Sequence, residues 1–259
     1  MEGAAELCRC IDARLDEFRE EGSASVLGRF LVGQGVSEPK LRQVRGPAGP
    51  VEIVSSASDG QNGAAVVRYP DGSAYVGEIR NGRREGSGVR LHAGAVPLLY
   101  VGEYVRGRRQ GVGRLLDLSS GSLVYEGQWS RDAKHGEGTL FHDGATYRGG
   151  FAGDAFDGQG KLSWANGNVY QGEFRGGKRS GRGVIKFAAG DAYEGEFLDG
   201  LFHGEGTYRW PAGEVYVGQF RAGRIQGEGA IQYAQQVRGV GVFGAGEAPD
   251  RVSYDLLQP

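Results

Sequence analysis

Histidines, cysteines, a recurring glutamate and a set of arginine pairs are the side chains in this 259-residue sequence best suited to chemistry. His135 and His203 stand in matching contexts, His135-Gly136-Glu137-Gly138 and His203-Gly204-Glu205-Gly206, which is what turn residues of a repeat look like. His142 precedes Asp143 at another turn, and His92 lies in an insertion. No His-x3-His or Cys-rich spacing joins them, so no metal site is expected. Cys8 and Cys10 are too few and too close for a disulfide framework, and are placed either for acylation beside a helix or for inward packing. No Ser or Cys sits in a nucleophile motif. Gly239-Val240-Gly241-Val242-Phe243-Gly244 matches G-x-G-x-x-G in letters, but a dinucleotide site needs a following helix and an acid about 20 residues on, and the sequence offers neither. Glu78, Glu103, Glu173 and Glu196 each follow a tyrosine by three residues. Such periodicity suits carboxylates that satisfy backbone or arginine groups between strands better than it suits an acid–base pair. No catalytic residue, cofactor or enzymatic activity is expected.

The basic residues are more informative. Arg83 with Arg84, Arg108 with Arg109 and Lys178 with Arg179 occupy one pair of repeat positions, and Lys134 and Arg224 fall in the same column. Residues 75–124 carry eight Arg against four acids within a chain of net charge −2. Equal positions in stacked repeats share an edge, so Arg83, Arg84, Arg108, Arg109, Lys134, Lys178, Arg179 and Arg224 are expected along one rim. Guanidinium forks there suit phosphate or an acidic partner; the alternative is an ordinary solvated turn edge. The overall charge provides no field that would recruit nucleic acid.

A repeat must position these residues. Tyr75, Tyr100, Tyr125, Tyr147, Tyr170, Tyr193 and Tyr216 stand 25, 25, 22, 23, 23 and 23 residues apart, a period that marks a repeat architecture. Positions below are counted from each tyrosine as 0. Tyr, Gly and Phe or Trp at 0, 2 and 4 alternate with polar residues, as in a strand with one aromatic face. Near position 7 come Asn81-Gly82, Gly176-Gly177 and Asp199-Gly200, which supply the positive φ of hairpin turns. A second strand follows, with Gly at 11 and 13 and apolar residues at 15 and 17, and then another Gly-bearing turn. Gly, 49 of 259 residues, is accounted for by these turns, and aromatics at 10% argue against a disordered Gly-rich chain. The expected fold is mainly β: an elongated, single-layer, twisted antiparallel sheet of repeated hairpins, about 70 Å long for seven units at about 4.8 Å per strand. Tyr125, Trp129, Tyr147, Phe151, Tyr170, Phe174, Tyr193, Phe197, Tyr216 and Phe220 form its aromatic row. That row is either core alone, or core with one side open as a groove for an extended or helical peptide.

The ends differ from the array. Leu7, Ile11, Leu15 and Phe18 make an apolar stripe over a predicted helix at 4–21, and Val26, Leu27, Phe30 and Leu31 suit a second short one. The expected organisation is an N-terminal α-helical segment at 1–32, a Gly/Pro linker at 33–51, the array at 52–243 with degenerate end copies, and a tail at 244–259. No signal peptide is read at the N-terminus, and no run of about 18 apolar residues suits a membrane span.

Tyr193-Glu194-Gly195-Glu196-Phe197, Asp199-Gly200 and His203-Gly204-Glu205-Gly206-Thr207 together resemble the MORN (membrane occupation and recognition nexus) repeat. Tyr125-Glu126-Gly127-Gln128-Trp129 with His135-Gly136-Glu137-Gly138-Thr139 resembles it as closely. The likeness covers about 52–243; Gly150 departs from it where an acid is usual, as do Glu85 and Gln110 where His is usual. The resemblance implies a non-catalytic scaffold or adaptor in the cytoplasm, in a cytoskeletal, ciliary or flagellar (axonemal) assembly. Implied partners are a protein, a second copy of the chain, or, as the alternative, anionic phospholipid head groups that would make it a peripheral membrane protein.

Overall fold

Alternating aromatic and β-branched residues between Gly-rich turns produce strands throughout the computed structural model, which describes residues 41–46, 49–55, 61–233 and 238–244. In chain order these are β1 (Leu41–Gly46), β2 (Gly49–Ser55), β3 (Gly63–Arg68), β4 (Ala74–Arg80), β5 (Arg83–His92), β6 (Leu98–Val105), β7 (Arg108–Asp117), β8 (Ser122–Ser130), β9 (Ala133–His142), β10 (Ala145–Ala152), β11 (Ala155–Ser163), β12 (Val169–Arg175), β13 (Lys178–Lys186), β14 (Ala192–Leu198), β15 (Leu201–Arg209), β16 (Val215–Arg221), β17 (Arg224–Gln232) and β18 (Arg238–Phe243). Two units meet at His135–Gly136, within β9. In the first, β1 to β8 each pair antiparallel with the next strand in sequence; in the second, β9 to β18 do the same. The protein is thus mainly β, built of antiparallel hairpins. The expected N-terminal helices and most of the tail lie outside the described residues.

One expectation is corrected. The stretch read as a linker over 33–51 holds β1 and the start of β2, paired from Leu41↔Val54 to Gly46↔Gly49. Val44, Val51, Ile53 and Val54 carry β propensity that outweighs the Gly and Pro content. Pro50 is the second residue of β2, near a strand start where the missing N–H is tolerated.

Within each copy the two strands meet at a two-residue turn at positions 6 and 7. Asn81-Gly82 (φ 51° and 70°) and Asp199-Gly200 (φ 51° and 87°) show the doubly positive φ of a type I′ turn. Arg106, Arg131 and Ala222 hold the same left-handed conformation without being Gly or Asn, a mild local strain. The turn N–H donates to a carbonyl one copy back: Gly107 to Arg84 (2.8 Å) and Asp132 to Arg109 (3.1 Å) in the first unit, Gly177 to Phe156 and Gly200 to Arg179 (both 2.9 Å) in the second. The turn joining one copy to the next is a different device. There Gly167, Gly190 and Gly213 donate to the carbonyls of Trp164, Phe187 and Trp210, and buried Asn168 accepts the Ala188 N–H through its Oδ1 at 2.9 Å.

A row of glycines crosses the strands. Gly77, Gly88, Gly102, Gly113 and Gly127 stand opposite one another in the first unit. In the second, the row runs from Gly138 through Gly149, Gly160, Gly172, Gly183, Gly195, Gly206, Gly218 and Gly229 to Gly241. Each repeat tyrosine lies across its own pair. A Cβ on Gly183 would come within 2.4 Å of the Tyr170 Oη and 2.6 Å of its ring, and Gly206 is covered likewise by Tyr193. The glycine floor therefore exists so that a large ring can lie flat on the backbone.

Candidate functional site

The aromatic row is built from that floor upward. Laid across its glycines, each tyrosine hydroxyl donates to the carbonyl three residues on, from Tyr75 to Glu78 (2.8 Å) and Tyr170 to Glu173 (2.9 Å) through to Tyr216 and Gln219 (3.2 Å). At Tyr100, Tyr147, Tyr170 and Tyr193 the ring meets edge-on the position-4 ring of its own copy and that of the following one, while Tyr75, whose copy has Ile79 at position 4, meets Tyr104 of the next. Tyr170 lies 5.0 Å from Phe174 and 5.0 Å from Phe197; Tyr193 lies 5.2 Å from Phe197 and 4.9 Å from Phe220. Such T-shaped pairs place positive ring edges on negative faces. Burial holds the hydroxyls in their neutral form, pushing the Tyr170 pKa up to about 12 and those of Tyr75, Tyr100, Tyr147 and Tyr193 higher still.

This burial corrects the expectation of an open aromatic groove. Tyr125, Trp129, Tyr147, Phe151, Tyr170, Phe174, Tyr193, Phe197, Tyr216 and Phe220 are all 0–4% exposed. The cover comes from position 9, whose side chain folds over the tyrosine. In the second unit it is Phe156, stacked on Tyr147 at 3.7 Å, and Phe202, stacked on Tyr193 at 3.8 Å. In the last copy it is the buried Ile225, and in the others a cation. Arg84 lies over Tyr104 at 5.0 Å, Arg109 over Trp129 at 4.0 Å, Lys134 over Tyr125 at 5.8 Å, and Arg179 over Phe197 at 5.5 Å and Tyr170 at 5.8 Å.

The expected basic rim accordingly splits in two. Arg84, Arg109 and Arg179 each turn the guanidinium onto the next copy's turn, donating through Nη2 to the carbonyls of Gly107, Asp132 and Gly200. Arg179 is buried, and burial lowers its pKa. These three are structural staples, not rim groups. Arg83, Arg108, Lys178 and Arg224, at position 8, are exposed; Lys178 pairs with Asp199 at 3.3 Å. The rim also has members that position 8 alone did not reveal: Arg80, Arg106, Arg131, Arg175 and Arg221. A two-residue turn at 6 and 7 sets position 5 directly opposite position 8, as in Arg80↔Arg83, Arg175↔Lys178 and Arg221↔Arg224. That signal was present for Arg80, Arg175 and Arg221 once the turn length was fixed, whereas Arg106 and Arg131 stand at position 6, in the turn itself. In the first unit Arg80, Arg83, Arg106, Arg108 and Arg131 make five exposed guanidinium groups along this edge, none in an ion pair among the described residues.

The recurring glutamate closes a bulge. Register slips between positions 2 and 4 of the first strand, the facing Gly at 11 adopts positive φ (Gly181, 61°), and Glu173 lies over it, accepting the Arg182 N–H at 3.1 Å. Gln219 does the same for Glu228 at 3.2 Å. Of the histidines, His203 lends its carbonyl to the Tyr193 hydroxyl (3.3 Å), and His142 pairs with Asp143 at the surface. His92 is held toward its neutral form by burial and then by Arg109 and Arg84. Among the described residues no three His, Cys, Asp or Glu side chains gather as a metal would need, and no helix is long and apolar enough to cross a membrane.

The opposite face of the sheet in the second unit carries an open concave surface. A trough of about 890 Å³ runs over the glycine row between β11 and β16. Gln171, Glu173, Arg182, Lys186, Glu194, Glu205, Thr207 and Val217 line it, and Val217 is 53% exposed. The trough was not anticipated, although strand alternation places residues flanking each tyrosine on this face.

A family model described as MORN repeat matches residues 75–93, 100–117, 125–146, 147–169, 170–192, 193–215 and 216–236. No curated protein matches the chain. Among solved structures it is similar to the wild-type TCP10 domain of Danio rerio CPAP in complex with a peptide of Danio rerio STIL, with a TM-score of 0.42 and 13% identity over 81% of this chain and 100% of that one.

Proposed function

We propose a function from the premise that this chain belongs to the MORN-repeat family: it is a non-catalytic scaffold that holds a segment of a protein partner in the trough of its second unit. MORN repeats form protein-binding or membrane-associated domains, generally without enzymatic activity. The observation that carries the reading is that the tyrosine face is filled by its own rings and staples, whereas the opposite face of residues 159–217 is concave and open. Its volume is in the range of ligand sites, about 300–1,000 Å³. Its openness, glycine floor and mixed charges suit a chain segment making backbone and side-chain hydrogen bonds rather than an enclosed small molecule. Assembly on a cytoskeletal or axonemal structure in the cytoplasm is the setting we propose for it. The test is a photo-crosslinking residue at Thr207 or Val217 in the full chain, expressed in its native cell, with the same probe at Ala222 as control. A discrete partner is expected at the trough positions and should be lost when Glu194 and Glu205 are changed to Lys. Equal capture at all three positions sinks the reading.

A second reading, anionic lipid recognition, has its own support. Arg80↔Arg83, Arg175↔Lys178 and Arg221↔Arg224 set like charges directly opposite one another, an arrangement that costs stability and concentrates charge for an anionic surface. Vesicles containing phosphoinositide should sediment the full chain and release it when Arg80, Arg83, Arg106 and Arg108 are changed to Glu. Sedimentation unaffected by these changes would remove the rim from consideration.

A further inference from the structure

The face that is open in the second unit is apolar in the first. Ala74, Val76, Val89, Leu91, Leu99, Val101 and Leu116 form one buried cluster there. Alternation puts it on the side opposite the tyrosines: Ala74 and Val76 flank Tyr75, and the pairs Val76↔Val89, Val89↔Val101, Leu91↔Leu99 and Leu99↔Leu116 carry it across four strands. Leu99 is 0% exposed and Val89 2%. At the positions of Val76 and Val101 the second unit has Arg148, Gln171, Glu194 and, in its last copy, Val217; at those of Leu91 and Leu116 it has Ser163, Lys186, Arg209 and Gln232. The same surface is thus mostly polar and open where it forms the trough, and apolar and closed over the first copies. Val66 and Leu123, which pack against the cluster, lie on the sheet itself and Leu118 in the turn after β7, so among the described residues the sheet and its turn supply the rim of this patch and no second layer.

We propose that this chain's own N-terminal segment, residues 4–31, is that second layer. Leu7, Ile11, Leu15 and Phe18 form one apolar stripe at helical spacing, followed by Val26, Leu27, Phe30 and Leu31, and helices this short need a surface to pack on. The tether reaches. The segment leads into β1, which is three strands from β4 through β2 and β3, about 14 Å at about 4.8 Å per strand. The residues between 31 and 41 extend to about 30 Å at about 3.3 Å each. Charge agrees as well: Arg68 and Arg114 lie beside the cluster on the same face, paired in register with Ala74 and Val101, Arg114 also facing Glu126 at 3.6 Å, and around the stripe Asp12, Asp16, Glu17 and Glu20 outnumber Arg9, Arg14 and Arg19. The docked segment gives the first unit a two-layer core and leaves the second unit as the open face. It stands independently of whatever occupies the trough.

Cys8 and Cys10 are the chain's two cysteines, so a nitroxide can be placed on Cys10 of the full chain in a Cys8→Ser background. With methyl-labelled protein, the resonances of Val76, Val89, Leu91, Leu99 and Val101 should lose more than half their intensity, while those of Val184 and Val215 keep theirs. The loss should vanish when spin-labelled protein without methyl label is mixed with methyl-labelled protein without nitroxide. Loss that persists in the mixture makes the occupant a second copy and overturns the proposal, as does the absence of loss in both samples. The double variant Ile11→Glu, Phe18→Glu should raise amide exchange in β4 to β7 at least tenfold and leave β12 to β17 unchanged. Unchanged exchange in β4 to β7 counts against the docking.

Discussion

The guanidinium carbon of Arg109 lies 4.0 Å from the centre of the Trp129 ring, sandwiched against the aromatic row of the following copy. The same group donates to the Asp132 carbonyl at 2.6 Å, so one side chain joins two turns and caps a ring. Its neighbour Arg108 is exposed. Arg109→Ala should destabilise the first unit by about 2 kcal/mol, from a cation–π contact and a charged hydrogen bond lost together. Arg108→Ala should change stability by less than about 0.5 kcal/mol. Urea denaturation of the two variants checks this, and equal effects would mean that the division of the basic column is wrong.

The substitution Tyr→Phe should have opposite signs at two buried positions. The Tyr170 hydroxyl donates to the Glu173 carbonyl at 2.9 Å, and its loss should cost about 1 kcal/mol. Tyr104, at position 4 where the first copy has Ile79 and the later ones Trp or Phe, buries a hydroxyl that has no hydrogen-bond partner among the described residues. Tyr104→Phe removes that unsatisfied group and should stabilise by up to about 1 kcal/mol. Thermal melting of both variants distinguishes the cases.

Gly183→Ala should be severe for a steric reason, because the new methyl would stand 2.4 Å from the Tyr170 Oη. Displacing that ring also disturbs Phe174 and Phe197, so a loss of about 2 kcal/mol or more is expected. Among the described residues nothing lies within 4 Å of the corresponding point at Gly241, and Gly241→Ala should stay within about 0.5 kcal/mol of the parent. Comparable denaturation midpoints for the two variants would contradict the role given to the glycine floor.

Alkali should destabilise the fold through the buried repeat tyrosines. Burial raises the folded-state pKa of the repeat tyrosines, Tyr170 to about 12, against about 10 when unfolded. The stability associated with a raised pKa is fully present below about 10 and is lost as pH rises toward the folded values, because the unfolded chain releases its protons first. Chemical-denaturation midpoints should fall steadily above pH 10, and tyrosinate absorbance should rise with unfolding rather than before it.

The backbone was legible from the tyrosine period and the turn dipeptides, because Asn-Gly and Asp-Gly restrict a hairpin to a two-residue turn and so fix which residues face each other. The function of position 9 was not. Arg84 and Phe156 are chemically unlike, yet both cover a tyrosine ring, and neither composition nor spacing says that a cation beside a turn will fold inward. The aromatic groove failed for the same reason: whether a row of rings is open depends on one covering side chain per copy. The polar trough and the apolar cluster were both implicit in strand alternation, through the residues on either side of each tyrosine. They differ only in identity, Val76 against Gln171, at a position where the aromatic pattern draws attention elsewhere. In β1 and β2 the Gly and Pro residues read as a linker, although Gly46↔Gly49 brackets a hairpin.

The two kinds of turn have unequal tolerance for length. Copies beginning at Tyr75 and Tyr100 are longer, and that beginning at Tyr125 is shorter, than the 23-residue ones that follow. All of these differences fall in the connections after His92, Asp117 and His142, whereas the position 6–7 turn keeps two residues throughout. A carbonyl one copy back holds the turn N–H at five described turns from Gly107 to Gly223, so an inserted residue would break the lacing on both sides. Each unit therefore has an edge of fixed length and an edge open to variation. New loops, and the specificities they bring, can be added by simple insertion only along the second, while the arginine-bearing first edge can change its side chains but not its outline.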